Sequence, residues 1–166
     1  STAGSVVEAA AANVTLETLD ALTGAIAASP TPLTVNAATA LSVTTLGNAN
    51  AFLDTTTGAT LAATNSVNVG TGTFAIRGGT FTAGVSNVIV DTSKLSVEQS
   101  ATYALGTTTD TVGGLTLSTS GGITGSGTLT STSDFAMQGG SISANLAGGV
   151  ALNKTTGGTV VLSGTN

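Results

Sequence analysis

Gly113-Gly114-Leu115-Thr116-Leu117-Ser118, Gly127-Thr128-Leu129-Thr130-Ser131 and Gly158-Thr159-Val160-Val161-Leu162-Ser163-Gly164 repeat one motif three times. In each, glycine leads into a short run that mixes Thr or Ser with large aliphatic residues. Side chains of an extended chain point alternately to opposite faces, so Leu115-Thr116-Leu117 puts both leucines on one side and the hydroxyl on the other. The glycines mark the corners where the run must turn. The stretch reads as a unit that has been copied, and the copies need a fold in which like segments lie side by side.

The same texture extends back to Leu33. Leu33-Thr34-Val35, Leu41-Ser42-Val43, Val67-Asn68-Val69, Phe74-Ala75-Ile76, Leu95-Ser96-Val97, Phe135-Ala136-Met137 and Val150-Ala151-Leu152 all set two apolar residues around a small or polar one. Glycine pairs at 78–79, 113–114, 121–122, 139–140, 148–149 and 157–158 fall between such runs. In the C-terminal half, strand centres are expected near residues 116, 123, 129, 136, 142, 151 and 161, intervals of about 6 to 10 residues. That rhythm leaves little room for crossover helices. An all-β fold follows, either a parallel β-helix (β-solenoid) or an antiparallel β-sandwich. The resemblance among segments, and the lack of Asn-Gly or Asp-Gly hairpin turns, favour the solenoid. Three short strands per rung take roughly 18 to 24 residues, so residues 31–166 would make about seven rungs and a rod of order 30 Å.

Residues 1–30 differ. They hold three of the eight acids and the alanine run Ala9 to Ala12, and they end at Gly24 and Pro30-Thr31-Pro32. Ser5-Val6-Val7-Glu8 has the form of a capping box, and Leu16, Leu19 and Leu22 fall at helical spacing. Val14-Thr15-Leu16 equally fits an extended piece. The expected organisation is a capping or flexible segment over 1–30 and a solenoid repeat domain over 31–166.

Composition narrows the function. The chain has 166 residues, of which only 7% are charged, against roughly 25% in ordinary soluble domains. Val, Leu, Ile and Phe nevertheless make up about a quarter of it, enough apolar content to fold. With no His and no Cys, nucleophile pairs that need them are excluded, as are disulfides, and the preferred ligands of zinc, haem and iron–sulfur sites are missing. Three basic residues (Arg77, Lys94, Lys154) against eight acids, a net charge of −5 and an isoelectric point near 4.1 exclude a basic surface for nucleic acid or anionic lipid. No run approaches the ~18 apolar residues of a spanning helix, and no signal-peptide pattern is present. Hydroxyls stand in for Lys and Glu as solubilising groups, as in many extracellular β-rich structural proteins.

The candidate site residues are few. Asp54, Asp91, Asp110, Asp134 and Glu98 are the acids of the body, and none sits in a spacing that marks calcium in a solenoid turn. Turn or surface positions are expected for them, with Thr55-Thr56-Thr57 and Thr107-Thr108-Thr109-Asp110 as polar loops. Tyr103 is expected in the core or at a corner. Phe74 and Phe81 flank Arg77 and could stack sugars, but core packing is expected. Lys154 is expected at a turn. The sequons at Asn13 and Asn153 are of the kind chance supplies at this Ser and Thr content. A threonine array that binds ice would need Thr-x-Thr in register on successive rungs, and the two threonine runs do not alternate. No catalytic, cofactor-binding or metal-ligating residue is therefore assigned, and no cofactor.

Gly139-Gly140-Ser141-Ile142-Ser143-Ala144-Asn145-Leu146, Ala151-Leu152-Asn153-Lys154-Thr155 and Gly157-Gly158-Thr159-Val160-Val161-Leu162-Ser163-Gly164-Thr165-Asn166 resemble the passenger-associated β-strand repeat of bacterial autotransporters, approximately L-T-K-T-G-x-G-T-L-T-L-S-G-x-N. Asn153 departs from it, standing where the repeat usually has Thr. Residues 121–130 look like sequence from such passengers as well. The match covers about residues 113–166, while 33–112 share only the style. The resemblance implies a right-handed parallel β-helix on an exported, surface-exposed protein, and no activity, because such repeats act as stalk and scaffold. The chain stops at Asn166 where the repeat would continue, which implies a part of a larger polypeptide or a processed product of one. The expected function is thus a non-enzymatic structural or adhesive module, extracellular or on the bacterial cell surface. Its expected partners are neighbouring repeats, further copies of itself, or host and matrix ligands. A self-assembling fibre subunit stacking through open strand edges is the alternative, and a polysaccharide-active enzyme on a β-helix is third.

Overall fold

The structure is a computed structural model that describes residues 67–166 throughout and, ahead of them, the strands Val7–Glu8, Asn13–Thr18, Leu33–Asn36, Ala40–Thr45, Ala51–Asp54 and Thr60–Ala63. Residues 67–166 wind as a β-solenoid of about four turns, and no helix is found among the described residues. One sheet stacks β1 (Val7–Glu8), β3 (Leu33–Asn36), β5 (Ala51–Asp54), β8 (Thr73–Ile76), β10 (Lys94–Val97), β13 (Gly114–Leu117), β16 (Phe135–Met137) and β19 (Leu152–Lys154). A second stacks β6 (Thr60–Ala63), β9 (Thr80–Ala83), β11 (Thr102–Gly106), β14 (Gly122–Gly125), β17 (Gly140–Ile142) and β20 (Val160–Leu162). On the third side lie two separate three-stranded sheets. One holds β2 (Asn13–Thr18), β4 (Ala40–Thr45) and β7 (Val67–Asn68); the other holds β12 (Thr109–Val112), β15 (Thr128–Ser131) and β18 (Asn145–Ala147).

Neighbouring strands in all four sheets run parallel, which rules out the antiparallel sandwich. Lys94 pairs with Thr73 on one side and Gly114 on the other, steps of 21 and 20 residues. Phe135 pairs with Leu115 and Leu152, steps of 20 and 17. Each coil is therefore one repeat, and corners absorb the difference in length. Asn13–Thr18 is extended and pairs with Ala40–Thr45, so Val14-Thr15-Leu16 takes the strand form here and not a helical one. The alanine run, Leu19, Leu22, Gly24 and the two prolines lie outside the described residues.

Register turns the alternation of the sequence into ladders. Phe74, Leu95, Leu115 and Phe135 follow one another up the first sheet, and beside them run Ile76, Val97, Leu117 and Met137. All eight are at most 4% exposed. Phe81, Tyr103, Ile123 and Ile142 form the matching ladder of the second sheet. Burying an aliphatic side chain of this kind is worth about 1.5–3 kcal/mol, and each coil contributes several. The outward ladder Ala75–Ser96–Thr116–Ala136–Asn153 carries no charge, and Ala75 and Ser96 at its start are buried all the same. Corners nest as closely as the strands do: a Cβ on Gly127 would run into the Thr108 carbonyl one coil away, and Gly125, at φ +136°, sits against Gly106 in the same way.

Candidate functional site

Among the described residues, the one place where ionisable chemistry enters the core is the third side of the stack, between β7 and β12. The strand β7 has no regular partner on its far side. Residues 86–90 lie there instead: Val67 donates its N–H to the Val88 carbonyl, Val90 donates to the Val67 carbonyl, and Ile89 bridges Val67. Toward β12, Asn87 donates to the Thr109 carbonyl, while the Thr109 N–H goes to Ser86 Oγ at 3.1 Å. The segment thus joins the two three-stranded sheets of this side.

Asp110 closes this seam. In Thr109-Asp110-Thr111-Val112 it shares a face with Val112, and both point inward; Asp110 is 1% exposed. Its carboxylate accepts the Ile89 N–H at 3.3–3.4 Å, the Thr111 N–H at 3.1 Å and the Tyr103 hydroxyl at 2.5 Å. Tyr103 is wholly buried, stacked on Phe81 with ring centroids 5.8 Å apart; Phe81 in turn meets Phe74 edge-on at 5.2 Å. Burial pushes the Asp110 carboxyl up to about 6, against the lowering effect of its three donors, and the like charge of Asp91 adds to the rise. Burial first, and Asp110 second, push the Tyr103 hydroxyl far upward, so it remains a neutral donor. Chemically, the pair can hold a proton and fasten two coils; it is sealed inside the stack.

This corrects the expectation of a turn or surface position for Asp110. The signal was present as parity: in an alternating strand, the residue two before Val112 belongs to the same face. The remaining acids are dispersed. Asp91 and Asp134 are exposed, and Asp134 accepts the Ala151 N–H at 3.3 Å and Asn153 Nδ2 at 2.8 Å across one coil step. Glu98 pairs with Arg77 Nε at 3.1 Å and accepts Ser96 Oγ at 3.0 Å. Asp54 ends β5, and its side chain is outside the described residues. Among the described residues no three His, Cys, Asp or Glu side chains are grouped as a metal would need.

Phe74, Phe81 and Tyr103 are core residues, as their positions imply. Lys154 is exposed and donates to the Thr156 carbonyl just past its strand. Thr107-Thr108-Thr109 is not one polar loop: the strand begins at Thr109, so Thr109-Asp110-Thr111 alternates and lies in register with Thr128-Leu129-Thr130. The threonine array ends after two coils, because β18 presents Asn145 and Ala147 there. Thr55-Thr56-Thr57 lies outside the described residues.

Fold and site together define a charge-poor parallel β-solenoid with a sealed polar clasp. No family model, no curated protein and no solved structure matches the chain.

Proposed function

We propose that the chain is a structural or adhesive β-solenoid module of an exported bacterial surface protein, of the autotransporter-passenger kind, and that it does no catalysis. The observation that carries this reading is the uncharged outward ladder of the long sheet, Ala75–Ser96–Thr116–Ala136–Asn153. Residues one coil apart sit about 4.8 Å apart, so a charge copied on each coil would face its own kind. Hydroxyls and small side chains stack without that penalty, from the buried Ala75 and Ser96 to the exposed Asn153. Adhesion to matrix-coated surfaces, measured alongside release of reducing ends from a polysaccharide panel, tests the proposal. Saturable adhesion without release is the expected result. Sustained release would overturn it in favour of a polysaccharide-active enzyme.

A second reading, a fibre subunit that stacks end to end, draws on the last described coil, where Leu152 and Leu162, in register with buried Phe135 and Ile142, are 45% and 37% exposed on edge strands. Negative-stain microscopy separates the two. Filaments growing from the pure protein favour the fibre, and separate particles the module.

A further inference from the structure

Asp110 is used by neither reading, yet it is the most unusual ionisable group described. A carboxylate at 1% exposure ordinarily has a cation beside it. Here Arg77 is engaged by Glu98, and Lys94 and Lys154 are exposed. The groups facing Asp110 are Tyr103 from β11, the Ile89 amide from the joining segment, the Thr111 amide of its own strand, apolar Leu129 in register one coil on, and, through space, the like charge of Asp91. Nothing in that set balances a negative charge, and the hydrogen bonds only partly replace water.

We propose that the Asp110 carboxyl is a proton-operated clasp at the seam between the two three-stranded sheets, taking up a proton in mildly acidic surroundings and thereby making the stack more stable. The sign follows from comparing the two states. In the unfolded chain the carboxyl has the ordinary value of 3.8; in the fold it is raised to about 6. The fold therefore binds the proton more tightly. Its contribution to stability is complete below about pH 4, where both states are protonated, and is lost as pH rises through about 6. The clasp is read as a difference between two proteins and not from one curve.

The experiment compares thermal unfolding midpoints of the wild type and Asp110→Asn from pH 8 to pH 4. Asparagine keeps the size and an acceptor but has no charge to lose. The wild-type midpoint should climb relative to the variant as pH falls, with the change centred near 6. Parallel curves would overturn the proposal. Should Asp110→Asn fail to fold, the carboxyl carbon of Asp110 followed by NMR in the wild type gives the same answer. A midpoint near 6 supports the clasp, and one at or below 3.8 overturns it. Tyr103→Phe removes a donor that favours the ionised form and should move that midpoint upward, which loss of packing alone would not do; an unmoved midpoint would remove Tyr103 from the clasp.

Discussion

Leu115 and Leu152 occupy the same position in one ladder, two coils apart, yet the first is 2% exposed and the second 45%. Ile123 and Ile142 are fully buried in the second sheet, while Leu162, next in that ladder, is 37% exposed. The residues are alike, and their strands are alike. What differs is that the inner coils have a neighbour on both sides. Core in this molecule is a relation between coils and not a property of any one of them, as expected of a quasi-one-dimensional stack. The neighbouring ladder adds a second contrast: Ile76, Val97, Leu117 and Met137 are followed by Lys154, the first charged residue in that ladder. Stacking another layer tightly over β19 would have to bury that ammonium or turn it aside, a recognised way of blunting a strand edge.

The contrast between inner and outer coils can be tested by substitution. Gly127→Ala should be the most damaging change, on the order of 3 kcal/mol or more, because the new methyl meets backbone of the adjacent coil, which cannot move aside alone. Gly157→Ala, where a Cβ meets nothing within 4 Å, should stay within about 0.5 kcal/mol. Urea midpoints of the two proteins check this, and equal losses would show that the corners do not nest as described. Leu117→Ala should remove about 2–5 kcal/mol, since Leu117 is wholly buried between Val97 and Met137. Leu152→Ala should remove less than about 1 kcal/mol. If the outer leucine proved as sensitive as the inner one, something in solution must cover the last coil. The smallest effect is expected at Arg77 and Glu98, whose side chains are 22% and 27% exposed. A double-mutant cycle should give a coupling of about 0.2–1 kcal/mol that fades with added salt.

Much of this architecture was legible in the alternation. Phe74-Ala75-Ile76, Leu95-Ser96-Val97, Leu115-Thr116-Leu117 and Phe135-Ala136-Met137 all became strands of one sheet, because two large apolar residues flanking a small one fit a pleat with one buried face. The same pattern misplaced Val150-Ala151-Leu152: the strand there is Leu152–Lys154, set by pairing with Phe135–Met137 and not by local apolarity. β18 went unseen because Asn145-Leu146-Ala147 offers a single large apolar side chain; its extended form comes from register with Thr128-Leu129-Thr130. The clasp was missed for a related reason. Residue type alone favours the surface for Asp110, whereas its parity with Val112 places it inward. Its partners, Ile89 and Tyr103, lie 21 and 7 residues away, and only the winding of the coil brings them to it.

Coil steps of 17 to 28 residues along one sheet, with the difference taken up at corners, bear on how such a chain grows. A tandem duplication of about twenty codons inserts one more layer, and the layers on either side meet the surfaces they met before. No distant contact has to be retuned, so length becomes a trait that can drift freely while cross-section is held fixed. The seam at Asp110 is an exception to that freedom, since copying or deleting the coil that carries it changes which layers share a buried carboxyl.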